Sequence, residues 1–215
     1  MTRTTPKKAP SRMTQRRGDA RRQELLQAAH TLLRTRDFRE ITFVSVCERA
    51  GIPHGSARYF YPDLDALLRG LLGHFGALHD EALARPLRGA ATKSWRALVQ
   101  CMIDRSARFQ QRNPVCAKLT ISGYMPSELK RLDRDADYDR ARFLLARLDE
   151  FFVLPRHKDN ERIAYYAIEV VDTAFMLSMR ECEQVTPWWL GQAKRGAIAV
   201  FEGHFGELAP RPRRA

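Results

Sequence analysis

The stretch that most limits how this chain can fold is residues 43–68, FVSVCERAGIPHGSARYFYPDLDALL. A helical apolar pattern runs up to Gly51, breaks across Gly51 and Pro53, and resumes almost at once. Glycine tolerates the left-handed conformation needed just past a helix end. Proline suits the first turn of the next helix, where its missing N–H leaves no bond unmade. Pro62 then stops the second helix, and Asp63 is placed to cap a further one. Two short helices joined by a tight turn containing glycine describe a helix-turn-helix. The second of the pair carries His54, Ser56, Arg58 and Tyr59, which are donors, acceptors and an aromatic face. A helix of that kind can lie in the major groove of DNA, where each base pair presents its own hydrogen-bonding pattern. The alternative is an ordinary helical corner with a solvated second helix.

The rest of the chain keeps a helical period. From Asp19, Leu25, Leu26, Ala28, Ala29, Leu32 and Leu33 recur on one face and predict a first helix ending near Arg36. Thr42 is placed as the N-cap of FVSVCERA, whose inward residues are expected to be Val44, Val46 and Cys47. A long fourth helix is expected from Leu64 to Ala84, followed by helices near 92–112, 114–122, 135–153, 158–185 and 187–206. No alternating stretch of useful length argues for a strand. The expected fold is therefore all-α. Residues 1–18 are expected to be a disordered basic arm, 19–66 a helix-turn-helix domain, 67–208 a larger helical body, and 209–215 a disordered basic tail.

Charge points the same way. The net charge is +12. Residues 1–62 hold 13 Lys/Arg against 5 Asp/Glu, whereas 63–210 hold 21 against 20. A basic module on a nearly neutral body suits a polyanionic partner. Cys47, Cys101, Cys116 and Cys182 offer no CxxC pair, and the six histidines are scattered, so neither a metal nor a cofactor is expected. No nucleophile motif or Gly-rich phosphate loop supports an enzyme. No apolar segment reaches membrane-spanning length, and none follows the basic N-terminus as a secretory leader would require.

The combination of RRQELLQAAHTLL, Asp37-Phe38 and residues 41–68 resembles the N-terminal domain of TetR-family transcriptional regulators. The matching features are Ala28-Ala29, Thr42, Ala50-Gly51-Ile52, Gly55-Ser56, Tyr59-Phe60-Tyr61 and Leu67-Leu68. The resemblance covers about the first third of the chain. Three positions depart from the family pattern: Arg58 replaces an aromatic, Leu64 replaces a lysine, and Pro53 stands where Ser or Thr is frequent.

The resemblance implies a homodimer that binds double-stranded DNA at an inverted repeat and releases it when a small molecule binds. An activator of the same family and a non-specific nucleic-acid binder are the alternatives. It implies a bacterial cytoplasmic protein, nucleoid-associated when bound, with no membrane partner. The implied DNA contacts are Arg21, Arg22, Thr42, Pro53, His54, Gly55, Ser56, Arg58, Tyr59 and Tyr61. Thr42 serves as a phosphate donor, an N-cap, or both. Of Phe60 and Tyr61, one is expected to pack inward. Arg16 and Arg17 belong to the arm, which either enters a minor groove or supplies general attraction.

In the body, Ala164, Ala167, Val171, Ala174 and Ser178 form a small-residue stripe, and Ala193, Gly196, Ala197 and Val200 form another. They suit either a four-helix dimer interface or close packing within the chain. A ligand cavity is expected among Trp95, Met102, Arg105, Phe109, Phe143, Tyr165, Tyr166, Glu169, Asp172, Phe175 and Met176. Glu169 and Asp172 lie three apart in an apolar stretch. They require partners such as Arg105, a helix across a dimer, or a cationic ligand.

Overall fold

The computed structural model describes residues 12–121 and 127–212, with side chains described over 16–121 and 134–212. The chain divides into two compact units at Leu71–Leu72. The first holds α1 (Arg12–Thr35), a 3-10 turn (Phe38–Glu40), α2 (Phe43–Ala50), α3 (His54–Phe60) and the start of α4 (Leu64–Ala84). The second continues α4 and adds a 3-10 turn (Gly89–Thr92), α5 (Trp95–Arg112), α6 (Pro114–Thr120), α7 (Ser127–Asp149), α8 (Asn160–Cys182) and α9 (Pro187–Phe205). Among the described residues the only β-type pairing is an isolated bridge between Phe152 and Pro210.

The local signals in the first unit act as their chemistry requires. The Thr42 hydroxyl accepts the N–H of Ser45 at 3.1 Å, and the Ser45 hydroxyl accepts the N–H of Thr42 at 3.1 Å, a reciprocal cap. Gly51 ends α2 at φ 64°, in the left-handed region. Pro53 sits one residue earlier than expected, as the N-cap of α3 and not its first helical residue. Asp63 caps α4 by accepting the N–H of Ala66 at 2.7 Å. Leu25, Ala29, Leu33, Val46, Ala57 and Leu67 are almost completely buried and form the core of this unit.

Three expectations need correction. α1 begins at Arg12, so residues 12–18 are helical and do not belong to a disordered arm. Residues 12–17 are mostly good helix formers, and extending a formed helix adds one hydrogen bond per residue. Residues 1–11 lie outside the described residues. Val44 is 52% exposed, because a helix of eight residues that turns Val46 and Cys47 inward must turn Val44 away. The C-terminal segment is tied down as far as Arg211: Val153 donates its N–H to the Ala209 carbonyl at 2.8 Å, Arg211 donates to Phe151 at 2.7 Å, and Leu208 is buried. Residues 213–215 lie outside the described residues.

The core of the second unit is organised by the packing of α8 on α9. Ala164, Ala167, Ala174 and Ser178 on α8, with Ala193 and Ala197 on α9, are buried within the single chain. A Cβ placed on Gly196 would lie 2.5 Å from Val170 Cγ1. The small residues therefore bring two helices of the same chain together. Val171 is buried with them, while Val200 packs from the edge of the same core. Ser178 also closes the α8–α9 connection, donating to the Gln184 carbonyl at 2.7 Å and accepting the N–H of Thr186 at 2.9 Å. Ion pairs join α5 to α9 and its following segment: Arg96 with Glu202 at 2.6 Å and Glu207 at 2.5 Å, and Lys194 with Asp104 at 2.5 Å.

One buried polar group stands apart from the apolar core. His79 of α4 stacks on Phe109 of α5 with ring centroids 4.8 Å apart, and its Nε2 lies 3.0 Å from the Ser106 hydroxyl. Burial, with the Arg140 cation nearby, pushes its pKa from 6.5 down to about 3. In the unfolded chain the ring takes up a proton near its ordinary pKa, while in the folded chain it stays neutral down to about 3. The unfolded state thus binds more protons between these values, and stability falls as pH drops through that window. The slope from this group is about 1.4 kcal/mol per pH unit.

Two measurements check these contacts. Gly196→Leu improves intrinsic helix propensity, yet it is expected to lower the urea-unfolding free energy by about 1–3 kcal/mol, because the added carbons meet Val170. His79→Leu is expected to flatten the acid limb of the stability–pH curve, measured by the same unfolding at a series of pH values.

Candidate functional site

α3 is a seven-residue helix that buries one side chain, Ala57. Its remaining face is open. Pro53, His54, Gly55, Ser56 and Arg58 are exposed, and Tyr59 is 84% exposed. The α2–α3 turn sets which face this is. Gly51 donates its N–H to the Glu48 carbonyl at 3.2 Å and Ile52 donates to Cys47 at 3.1 Å, so the chain reverses compactly while Ile52 plugs the core. The His54 ring stands edge-on to Phe43 of α2, with centroids 5.4 Å apart. That contact orients the imidazole at the start of α3. A Cβ added to Gly55 would meet nothing within 4 Å, so a partner's backbone has room to approach.

Other candidate contacts surround this face. Thr42 is exposed, and its hydroxyl is already engaged in the cap of α2. Arg21 pairs with Glu24 at 2.7 Å, and Arg22 lies 3.3 Å from Asp19. Both arginines are exposed, and such pairs exchange readily for a phosphate because each contributes little in water. Arg16 and Arg17 are carried on the early turns of α1.

The aromatic cluster divides its work. Phe60 is half-buried beneath the Arg22 guanidinium at 5.7 Å and meets Tyr59 edge-on at 5.3 Å. Tyr61 packs against α4: a Cβ on Gly70 would lie 2.9 Å from its Cε1. Burial raises the Tyr61 pKa, with Arg22 opposing, so the hydroxyl stays protonated and can donate. Both Phe60 and Tyr61 therefore pack inward in part, whereas one alone was expected to do so. Val44, exposed at the start of α2, was missed as a surface residue; the brevity of α2 is the signal that would have found it.

Among the described residues, the ligand residues expected from the sequence have different surroundings. Trp95 and Phe175 are fully buried, and Trp95 packs edge-on to Phe201 at 6.3 Å. Met102 and Phe109 belong to the core as well. Tyr166 is 57% exposed. Arg105 serves backbone carbonyls, donating to Leu83 at 2.8 Å, Arg85 at 2.6 Å and Pro86 at 2.9 Å, and so is not the carboxylates' partner. Glu169 accepts a hydrogen bond from the Tyr165 hydroxyl, and burial together with that bond raises the tyrosine's pKa. The Tyr165 ring in turn stacks on Tyr138 at 4.2 Å. Glu169, Asp172 and Met176 are half-buried.

Phe143 does line an open groove of 560 Å³ between α4 and α7. His74, Asp80, Glu81, Asp139 and Arg140 supply its polar groups, and Ala77, Leu78 and Ala84 its apolar ones. Arg140 pairs with the buried Asp137 and lies 3.9 Å from Asp80. This groove was not visible in the sequence, since its two walls are about sixty residues apart.

Known proteins share this architecture. Residues 93–199 match the family model described as the tetracyclin repressor-like C-terminal domain. A TetR-family transcriptional regulator from Streptomyces coelicolor superposes with a TM-score of 0.67 at 18% identity, covering 85% of this chain and 98% of that one. A TetR transcription regulator from Haloarcula marismortui does so with a TM-score of 0.63 at 17% identity, covering 88% and 99%. Thermus thermophilus FadR, a TetR-family transcriptional repressor solved in complex with lauroyl-CoA, gives 0.59 at 20%, covering 90% and 100%. Among curated protein sequences, none matches this chain significantly. The chain is a member of the TetR family of transcriptional regulators, all-α, with a helix-turn-helix unit and a larger helical body. Among the described residues no helix is long and apolar enough to cross a membrane.

The division of labour in the aromatic cluster can be measured. Tyr59→Ala is expected to leave unfolding free energy within about 0.5 kcal/mol of the parent. Tyr61→Ala is expected to lower it by about 2 kcal/mol, less than the loss for a fully buried ring. Chemical denaturation of the two variants checks both.

Proposed function

We propose that this chain is a sequence-specific DNA-binding regulator that acts as a dimeric repressor at an inverted-repeat operator and is released by a small-molecule effector. The observation that carries the reading is the outward face of α3. A seven-residue helix that buries only Ala57 and holds out His54, Ser56, Arg58 and Tyr59 has no packing reason for that composition. Inserted in a major groove, His54 and Ser56 at its start reach base edges, and Gly55 admits the groove wall. Arg58, fully charged, holds a phosphate or a guanine edge. Tyr59 and Tyr61 give hydroxyls to the backbone, and Arg21, Arg22 and Thr42 flank the same groove as phosphate contacts. Pro53 fixes the direction in which the chain enters α3.

One such helix reads too few base pairs to select a site in a genome, so a second copy is required. The small-residue stripes are consumed within the chain, which leaves the opposite sides of α8 and α9 for the partner. Tyr166 and Leu177 lie three turns apart on α8, and Trp188 and Ala199 repeat that spacing on α9. Tyr166 and Trp188 are 57% and 61% exposed.

The α4–α7 groove is the seat of the effector in this reading. A molecule that binds it better in one arrangement of the body than in another shifts the population away from the DNA-competent form. α4 belongs to both units and is the element through which that preference is felt. Thermus thermophilus FadR, a repressor of the same fold in complex with lauroyl-CoA, lends support to a repressor that answers to a small molecule.

Selection of bound duplexes from a random double-stranded pool at near-physiological salt tests the proposal. The expected outcome is an enriched inverted repeat whose half-sites are about one helical turn apart, bound by two chains. Binding that enriches no sequence and disappears as salt rises would give the chain to non-specific nucleic-acid association instead.

A further inference from the structure

A second opening in the body has a character opposite to that of the α4–α7 groove. It is a cleft of 820 Å³ bounded by the end of α7, the connection from α7 to α8, and the C-terminal segment. Five side chains that can donate hydrogen bonds line it: Arg156, His157, Lys158, Arg211 and Asn160, whose amide is already given to the Pro155 carbonyl. Asp149 is the one carboxylate in the lining, and it is engaged by Arg211.

Only part of the charge here is neutralised, by Asp149 on Arg211. Arg21, Arg22, Arg142, Arg147 and Arg162 each have a carboxylate three residues away. Arg156 and Lys158 have no carboxylate within ion-pairing distance among the described residues. Asp159, the nearest acid in sequence, lies 3.8 Å from His157 and 3.8 Å from Arg162. His157 Nδ1 accepts the N–H of Asp159 at 3.2 Å, which leaves Nε2 to carry the ring proton as a donor. Three cations and a donor thus converge with a single acid between them.

The cleft is also built. Val153 and Arg211 form the backbone bonds to Ala209 and Phe151 that tie the C-terminal segment to the end of α7, and these hold Arg211 in place. Asn160 donates its side-chain amide to the Pro155 carbonyl at 2.8 Å and fixes the connection that carries Arg156 and Lys158. Leu145, Leu154 and the 48%-exposed Val153 supply an apolar portion of the wall. A pre-formed cleft of this volume is within the ordinary range for small organic ligands. Groups held in place before binding lose little freedom on complex formation.

We propose that this cleft is a binding site for a small organic anion with an apolar body, a phosphate monoester or a carboxylate, whose charged head is held by Arg156, Lys158 and His157 and whose body lies on Val153 and Leu154. The site is separate from the α4–α7 groove and requires neither the DNA reading nor an effector role. Head-group recognition follows from the fork of an arginine beside the point charge of a lysine, the pairing best suited to a phosphate or carboxylate.

Calorimetric titration of the full chain tests this with three probes at one ionic strength: octyl phosphate, octyl glucoside and inorganic phosphate. Octyl phosphate is expected to bind with saturation and more tightly than inorganic phosphate, and octyl glucoside is expected not to bind measurably. In the double variant Arg156→Ala/Lys158→Ala, whose exposed positions leave the melting temperature unchanged, the affinity for octyl phosphate is expected to fall at least ~10-fold, since two charge-assisted contacts are lost. Equal binding of octyl glucoside would make this an apolar groove alone and overturn the proposal. So would inorganic phosphate binding as tightly as its octyl ester, unchanged octyl phosphate affinity in the double variant, or no octyl phosphate binding at all. A double variant that loses affinity for every DNA duplex while the parent ignores octyl phosphate would assign the surface to a nucleic acid and also overturn it.

Discussion

The close approach of α8 to α9 is the constraint on which the body depends. Helix axes come this near only where side chains are small, and the contact line here is Ala164, Ala167, Ala174, Ala193, Gly196 and Ala197. Val170 fills the space that Gly196 leaves. With that pair fixed, α5 lies on α9 through Trp95 and Phe201, and α7 lies on α8 through Tyr138 and Tyr165. Ion pairs from Arg96 and Lys194 then secure the α5–α9 contact at its edge. The apolar contacts supply most of the stabilisation, because exposed ion pairs contribute little in water.

The smaller unit is held differently. Its caps and its turn are local devices: the Thr42–Ser45 reciprocal bond, Gly51 at φ 64°, and Asp63 at the start of α4. Together they fix α2 against α3 with so few buried side chains that nearly all of α3 remains available. That arrangement leaves a weak intrinsic hold on α3, which is offset by Ala57, Ile52 and the two half-buried rings of Phe60 and Tyr61. The exposed set on α3 is polar, cationic and aromatic.

Among the described residues, the second unit presents a pair of openings of contrary charge. The α4–α7 groove carries three carboxylates with Arg140 and His74, while the cleft beside the C-terminal segment carries three cations with one acid. Neither could be read along the chain. Asp80 and Asp139 come from helices far apart in sequence, and Arg211 reaches Asp149 only because the C-terminal segment folds back on Phe151 and Val153. The ligand residues inferred from the sequence illustrate the same limit. An aromatic such as Trp95 or Phe175 on a helical face reads alike whether it lines a cavity or fills a core, and here both fill the core.

By itself the sequence determined what depends on neighbours in the chain. The helical period placed α5, α8 and α9 to within a few residues, and the capping and turn residues placed α2, α3 and α4. These signals are local, since a cap bonds three residues away and a helix repeats in under four. The resemblance in residues 19–68 anticipated the family that the body's own match then bore out. Tertiary structure decided which faces those helices turn toward one another. Small-residue stripes state that some helix will come close but not which one, and of the two readings the stripes allowed, packing within the chain accounts for their buried members on α8 and α9. It also decided where Arg105, Tyr166 and the C-terminal segment went. Burial and ion pairing belong to pairs of surfaces, and a single strand of sequence contains only one member of each pair.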